Sequence, residues 1–126
     1  MGGSLMNYFE NQTIGDVLIE KVNLSSATIS EAHNMKEKLV EDINLNHKNI
    51  ILDLSKCTYI DSTFLGAMVF SLKKARRTGG DIKLVIDADS YMRGLFNLSG
   101  ISKVFKIYTS IDDAIQDKNT FIESSS

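Results

Sequence analysis

The sequence predicts an α/β fold, a single domain built on a mixed, mainly parallel β-sheet. The chain has 126 residues, of which 43% are apolar, and this length supports one domain with one core. Segments with strand-like patterns alternate with segments of helical apolar spacing, which is typical of parallel neighbouring strands. Two short strands come first, and an antiparallel arrangement of these two is compatible with the pattern.

Strand-like segments occur near the N-terminus and in the middle of the chain. Residues 8–22 contain two short extended segments, with Asn11-Gln12 and Gly15-Asp16 as turn residues between and beside them. The second segment, residues 16–22, has the clearer strand pattern. Residues 49–54 (NIILDL) form an almost continuous apolar run of strand length, as expected of a strand that is covered on both faces. We therefore place residues 49–54 in the middle of the sheet.

A first helix is predicted between these strands. Thr28 and Glu31 have the spacing of a capping box, in which each side chain accepts a hydrogen bond from a free amide of the first turn. The helix is expected to end near Leu45. Its apolar residues recur at helical spacing and predict one stripe that faces the core: Ile29, Ala32, Met35, Leu39 and Ile43.

A second helix is predicted from Ser62 to about Arg77, where Gly79-Gly80 ends it. Basic residues fill its last turns, where cations suit the helix dipole, and we interpret them as a solvated helix end. One apolar stripe of this helix contains Leu65, Met68, Val69, Leu72 and Ala75. Phe64, Ala67 and Phe70 lie off that stripe and predict an exposed partner surface. The alternative is that Phe64 or Phe70 packs under a loop or against the next helix.

The last third of the chain continues the alternation. Residues 81–87 predict a strand, and Asp89-Ser90 can cap a short helix that stops near Gly100. Residues 104–108 predict a short edge strand, and Ser110 with Asp113 begins a last helix. We expect the domain to span residues 7–118, with residues 1–6 as a flexible lead-in and residues 119–126 as a disordered tail.

Composition and motif content exclude several classes of function. The net charge of -2 gives no general attraction to nucleic acid or anionic lipid, and no apolar run is long enough to insert into a membrane. Cys57 is the single cysteine, which favours a reducing, cytoplasmic location. His33 and His47 lack the spacing of a metal site, and no glycine-rich phosphate motif is present. We expect no metal, no cofactor and no enzymatic activity.

The segment from Tyr59 to Gly66 is the strongest candidate for a functional site. An apolar strand is followed there by Asp61, Ser62 and Thr63, which precede the second helix. Asp61 or Ser62 could serve as the N-cap of that helix, a structural role that would explain these residue types. The alternative is a regulatory phosphorylation site, because free amides and the positive end of the helix dipole accommodate a phosphate group.

Three regions of the chain resemble the conserved motifs of STAS domains, the group that includes bacterial anti-sigma factor antagonists. These regions are residues 49–66 (NIILDLSKCTYIDSTFLG), residues 79–84 (GGDIKL) and residues 92–101 (MRGLFNLSGI). The resemblance implies a mixed sheet with helices mainly on one face. It also implies partner switching, in which the unphosphorylated domain binds an anti-sigma factor that is a serine-protein kinase, and phosphorylation by that kinase ends the binding. The resemblance places the phosphorylated hydroxyl on Ser62, with Thr63 as the second candidate.

The predicted function is that of a non-enzymatic switch protein. Its expected partner-binding residues are Asp61, Ser62, Thr63, Phe64 and Ala67. The expected partner is an anti-sigma factor/serine-protein kinase, without direct nucleic-acid binding or membrane insertion, and the oligomeric state is left open. The alternative is a constitutive adaptor subunit of a signalling or lipid-transport assembly. Phe64, which stands where many STAS domains have glycine, would anchor a permanent partner in that adaptor.

Overall fold

The structure is a computed structural model that describes residues 8–116. The lead-in at residues 1–6 and the tail at residues 119–126 lie outside the described residues. The strands are β1 (Phe9–Ile14), β2 (Val17–Val22), β3 (Ser26–Ala27), β4 (Asn49–Asp53), β5 (Tyr59–Ile60), β6 (Asp81–Val85) and β7 (Ile107–Tyr108). The helices are α1 (Ile29–Asn44), α2 (Ser62–Arg77), α3 (Met92–Ser99) and α4 (Ile111–Gln116), with a short 3₁₀ helix at Ile101–Lys103.

The main sheet has five strands in the order β1-β2-β4-β6-β7. β1 and β2 are antiparallel, whereas β2, β4, β6 and β7 are parallel neighbours. Each parallel connection passes through a helix, as such crossovers require. The predicted α/β fold with a mixed, mainly parallel sheet is confirmed, and β4 is the central strand.

The helices lie mostly on one face of the sheet, as the STAS resemblance implies. The larger core cluster contains buried residues of α1, α2 and α3, including Met35, Met68 and Phe96. A smaller cluster on the other face brings Ala114 of α4 against Ile51 and neighbouring strand residues. The side chains of β4 therefore alternate between two covered faces, which explains its apolar sequence.

The N-terminal hairpin differs from the prediction. β1 runs through Asn11 and Gln12, which pair with Glu20 and Ile19 of β2 and are not turn residues. Because β1 is an edge strand whose residues from Glu10 to Ile14 are exposed, polar side chains are tolerated there. The turn is confined to Gly15-Asp16, and Gly15 has a φ of 61°, which glycine adopts without strain.

A second, two-stranded parallel sheet was missed by the sequence analysis. It pairs β3 with β5, so that Ser26 lies opposite Tyr59 and Ala27 opposite Ile60. Each strand has only two residues, which is too short to produce a period in the sequence. This small sheet joins the segments that immediately precede α1 and α2.

The predicted helices form with small differences at their surfaces and ends. Thr28 and Glu31 make the predicted capping box of α1. Ile29, which was predicted in the apolar stripe, is 67% exposed, because it is the first residue of the helix and lies beyond the edge of the core. The strand predicted at residues 104–108 is shorter than expected, since the 3₁₀ helix precedes it and pairing is limited to Ile107–Tyr108.

Candidate functional site

The candidate site is organised by the carboxylate of Asp61, which follows β5 and is the N-cap of α2. Its Oδ1 accepts a hydrogen bond from the Phe64 amide at 2.8 Å. Its Oδ2 accepts a second hydrogen bond, also at 2.8 Å, from the amide of Ile29 at the start of α1. One carboxylate therefore caps two helices and fixes their N-termini side by side.

The backbone of Asp61 holds this arrangement in register. Its amide donates to the carbonyl oxygen of Ala27 at 3.0 Å, which continues the β3–β5 pairing. Its own carbonyl oxygen accepts from the Leu65 amide at 3.0 Å, as an N-cap residue requires. The sequence analysis left the cap open between Asp61 and Ser62, and the structure assigns it to Asp61.

Ser62 and Thr63 occupy the first two positions of α2, and both are exposed. Neither hydroxyl is needed for capping, because Asp61 supplies the cap. The Phe64 amide is taken by that carboxylate, so the amides of Ser62 and Thr63 remain available to an acceptor outside the helix. A hydroxyl at this position is accessible to a modifying enzyme, and a phosphate there would meet the positive end of the α2 dipole.

Phe64 does not belong to an exposed partner surface, and that prediction is wrong. Its side chain is fully buried in the larger core cluster. The buried stripe of α2 is rotated by roughly 50° from the predicted stripe and contains Phe64, Met68, Ser71, Leu72 and Ala75. Phe64 begins this stripe because residues four apart share a helix face. The alternative that Phe64 packs inside the domain is the observed one.

Ala67 lies about one turn beyond Thr63, half-buried between α1 and α2. It lines a surface groove together with Thr63 and Phe70, and Phe70 is 45% exposed. The ammonium group of Lys36 on α1 sits 4.6 Å from the centre of the Phe70 ring, a cation–π contact that crosses the groove. Of the predicted partner residues, Asp61, Ser62, Thr63 and Ala67 are therefore brought to one edge of the domain, whereas Phe64 is not.

The contribution of α1 to this edge was not predicted from the sequence. Ile29 and Lys36 are far from Ser62 in the chain, and α1 approaches α2 because Asp61 caps both helices. No motif in the sequence links these residues. The one available signal was the capping box at Thr28, which fixed where α1 begins.

Other candidate groups provide no reactive centre. Cys57 is buried, and burial, followed by the nearby Asp53 charge, raises the pKa of its thiol to about 12, so it is not a thiolate at neutral pH. His33 is exposed and lies 3.3 Å from the carboxylate of Glu37 on the same helix. Within residues 8–116, no group of three potential metal ligands is found.

Two acidic side chains are buried beneath α1, away from the Asp61 edge. Glu20 on β2 is 1% exposed and Asp42 on α1 is 4% exposed. Both oxygens of Glu20 and one oxygen of Asp42 are buried without a hydrogen bond of normal length and angle among the described residues. Burial and the adjacent Asp42 raise the pKa of Glu20 to about 9. Burial also raises the pKa of Asp42. The pair thus holds a proton at neutral pH.

The geometry can be compared with known proteins. A family model for the STAS domain matches residues 8–114. A relative from Thermotoga maritima, provisionally named an anti-sigma factor antagonist, is 31% identical over 110 residues, which cover 86% of this chain and 96% of that protein. A relative from Thermotoga neapolitana with a similar name is 30% identical over the same shares.

Solved structures show the same fold. The crystal structure of the Thermotoga maritima protein has a TM-score of 0.75 at 29% identity, covering 86% of this chain and 92% of that one. Phosphorylated SpoIIAA of Bacillus has a TM-score of 0.66 at 15% identity, covering 86% of this chain and 97% of that one, a similarity of fold. Within residues 8–116, no helix has the length and hydropathy needed to cross a membrane. By its family match and its relatives, this chain belongs to the STAS domain family.

Proposed function

We propose that this chain is an anti-sigma factor antagonist that acts by phosphorylation-controlled partner switching. In the unphosphorylated state it binds an anti-sigma factor that is also a serine-protein kinase. Phosphorylation of Ser62 by that kinase releases the complex. The function is that of a binding switch in the cytoplasm, and it requires no enzymatic activity of this chain.

The exposed hydroxyl of Ser62, freed from capping by Asp61, is the observation that carries this proposal. If the Ser62 hydroxyl served as the N-cap, its phosphorylation would disturb the capping hydrogen bond of the helix. Here the carboxylate of Asp61 holds both helices, so Ser62 can change its charge while its neighbours stay in place. The names of the Thermotoga relatives support the choice of partner class.

The phosphate acts on the partner contact through charge. It adds roughly -1.5 to -2 charges to the edge formed by Asp61, Ser62 and Thr63. Within the domain, the free amides of the first α2 turn and the helix dipole offset this charge. Against a desolvated partner surface that fits the neutral hydroxyl, the same charge is unmatched. A penalty of about 3 kcal/mol would weaken binding more than a hundredfold.

The constitutive adaptor loses the observation that favoured it. That alternative required Phe64 to anchor a permanent partner, and the Phe64 side chain is fully buried within the domain. Its replacement would disturb the core and not a surface contact. We therefore propose the switch alone.

The test measures binding of this chain to the purified anti-sigma factor of the source organism, with and without ATP. Ser62→Ala should retain wild-type affinity and take up no phosphate, whereas Ser62→Asp should weaken binding at least tenfold with little change in melting temperature. Thr63→Ala is the matched control, because Thr63 is the exposed neighbour on the same turn. Intact-mass analysis and calorimetric titration provide the readouts. Equal affinity of wild type and Ser62→Asp would refute the proposal, and phosphate on Thr63 alone would refute the site assignment.

A further inference from the structure

A groove runs between α1 and α2 and begins beside Thr63. We call it the α1–α2 groove. Its lining residues are Ile29, Ala32, His33 and Lys36 of α1 and Thr63, Gly66, Ala67 and Phe70 of α2. Its volume is about 290 Å³, and it lies open at the surface of the domain.

Two large apolar side chains at the groove are exposed to solvent. Ile29 is 67% exposed at the end of the groove near the helix N-termini, and Phe70 is 45% exposed about two turns of α2 after Thr63. Single exposed apolar residues are common on protein surfaces. Here both border one concave surface whose floor consists of Ala32 and Ala67, which is the character of a docking site for an apolar anchor.

Gly66 keeps the groove open. It lies inside α2, where glycine is less favourable than alanine. A Cβ atom at this position would find no atom within 4 Å outside the local helix backbone, so packing within the chain does not require glycine here. The missing side chain leaves space at the centre of the groove, which a partner side chain can occupy.

The charge of the groove is positive. Lys36 and His33 are its only ionisable lining residues among those described, and no carboxylate lines it. On α2, the turns that follow Phe70 carry Lys73, Lys74 and Arg77. Glu37 of α1 lies 3.3 Å from His33 and, with Glu41, lines a neighbouring pocket that shares Lys36 and Phe70 with this groove, so the acidic side chains of α1 lie on the side away from α2's basic turns. A partner segment along α2 therefore meets a row of cations.

We infer that the α1–α2 groove binds an acidic amphipathic helix of the partner protein. The apolar face of that helix would bind between Ile29 and Phe70 over Gly66, and its carboxylates would face Lys36 and the basic turns of α2. This inference rests on the proposed function for the identity of the partner, but the groove defines the chemistry of the segment. A phosphate on Ser62 would lie at the head of the groove and repel any carboxylate of the partner segment within about 10 Å of it, which links docking to release.

The test is site-specific photo-crosslinking of the full-length protein in its native cells. A photoreactive benzoylphenylalanine replaces Phe70, which preserves an aromatic side chain in the groove. The same replacement at Tyr91 is the matched control, because Tyr91 is an exposed aromatic residue next to α3. Mass spectrometry then identifies the cross-linked protein and the segment that carries the cross-link.

The sequence of the cross-linked segment decides between the outcomes. An acidic segment with apolar residues three and four apart, captured from position 70 and not from position 91, supports the inference. If that segment belongs to a protein other than an anti-sigma factor, the groove assignment holds and the proposed function fails. If the anti-sigma factor is captured through a basic or uncharged segment, or only from position 91, the groove assignment fails alone. The absence of any cross-link from position 70 also overturns it.

A titration with a synthetic peptide of the captured segment measures the charge effect. Gly66→Glu and Gly66→Gln place side chains of the same size at the open position in the groove and differ by one negative charge. Gly66→Glu should weaken peptide binding at least fivefold more than Gly66→Gln does, and the difference should shrink at high salt. Equal affinities of the two variants at low salt would contradict the acidic character of the partner.

Discussion

The buried carboxyl pair of Glu20 and Asp42 makes the stability of this domain depend on pH. The pKa of Glu20 is raised from 4.5 to about 9. Burial is the main cause, and Asp42 adds to it, whereas Lys38 and Asn11 partly oppose it. Burial also raises the pKa of Asp42, the hydrogen bond with Glu20 and the charges of Lys38 and His47 partly oppose this rise, and the charge of Glu41 adds to it. The folded chain thus holds a proton that the unfolded chain loses above about pH 4.5.

The sign and size of the effect follow from proton linkage. Because the folded pKa is raised, the stability contribution is complete below pH 4.5 and is lost as the pH rises towards 9. Each pH unit in this window lowers the free energy of unfolding by at most about 1.4 kcal/mol for one proton. At pH 7 the accumulated cost is about 3 kcal/mol. A neutral side chain of the same shape avoids this cost.

Glu20→Gln should therefore stabilise the domain at pH 7 by about 2–3 kcal/mol and flatten its pH profile. The melting temperature should rise by roughly 10 °C at pH 7, and the gain should vanish near pH 4. Urea unfolding followed by circular dichroism between pH 4 and pH 9 measures both effects. Glu37→Gln is the control, since Glu37 is an exposed glutamate of α1 that does not contribute to the pKa shifts of Glu20 and Asp42. A wild-type profile that is flat over this range, or a Glu20→Gln variant that is destabilised at pH 8, would refute the reasoning.

Two further predictions concern backbone contacts, one at the N-terminus of α2 and one beyond its C-terminus. Asp61→Ala leaves the amides of Ile29 and Phe64 without their shared acceptor and should destabilise the domain by about 2–3 kcal/mol. Asp61→Asn should retain part of the capping stabilisation, and chemical denaturation measures both variants. A loss below 1 kcal/mol for Asp61→Ala would contradict the double cap. Gly80→Ala should destabilise by about 1–3 kcal/mol, because its Cβ atom would lie 2.8 Å from the carbonyl oxygen of Lys48. Gly66→Ala, with open space at its Cβ atom, should instead stabilise by about 0.5–1 kcal/mol in the same assay, and equal effects of the two glycine substitutions would argue against both assignments.

Much of the secondary structure was predictable because it depends on residues that are close in sequence. The capping box at Thr28 marked the start of α1, and glycine after Thr78 marked the end of α2. The continuous apolar run at residues 49–54 identified the central strand, because a strand covered on both faces needs no polar alternation. Each of these signals is local.

The rotation of α2 was predicted less well. Five apolar residues of this helix fit the predicted stripe, and three of them also belong to the buried stripe that begins at Phe64: Met68, Leu72 and Ala75. Spacing alone separates two such stripes poorly, since α2 carries apolar residues over much of its circumference. The packing of the core decides between the two stripes, because the Phe64 side chain is fully buried in the larger core cluster.

The sequence by itself determined the fold class, the position of the central strand and the placement of Ser62 and Thr63 at the start of a helix. Tertiary structure alone decided that Asp61 caps α1 as well as α2, that Glu20 and Asp42 are buried together, and that Ile29 and Lys36 join Thr63 at one groove. These pairings join residues on separate elements of the chain. Periodicity and capping act over a few residues, whereas contacts of this kind depend on how whole helices pack against the sheet.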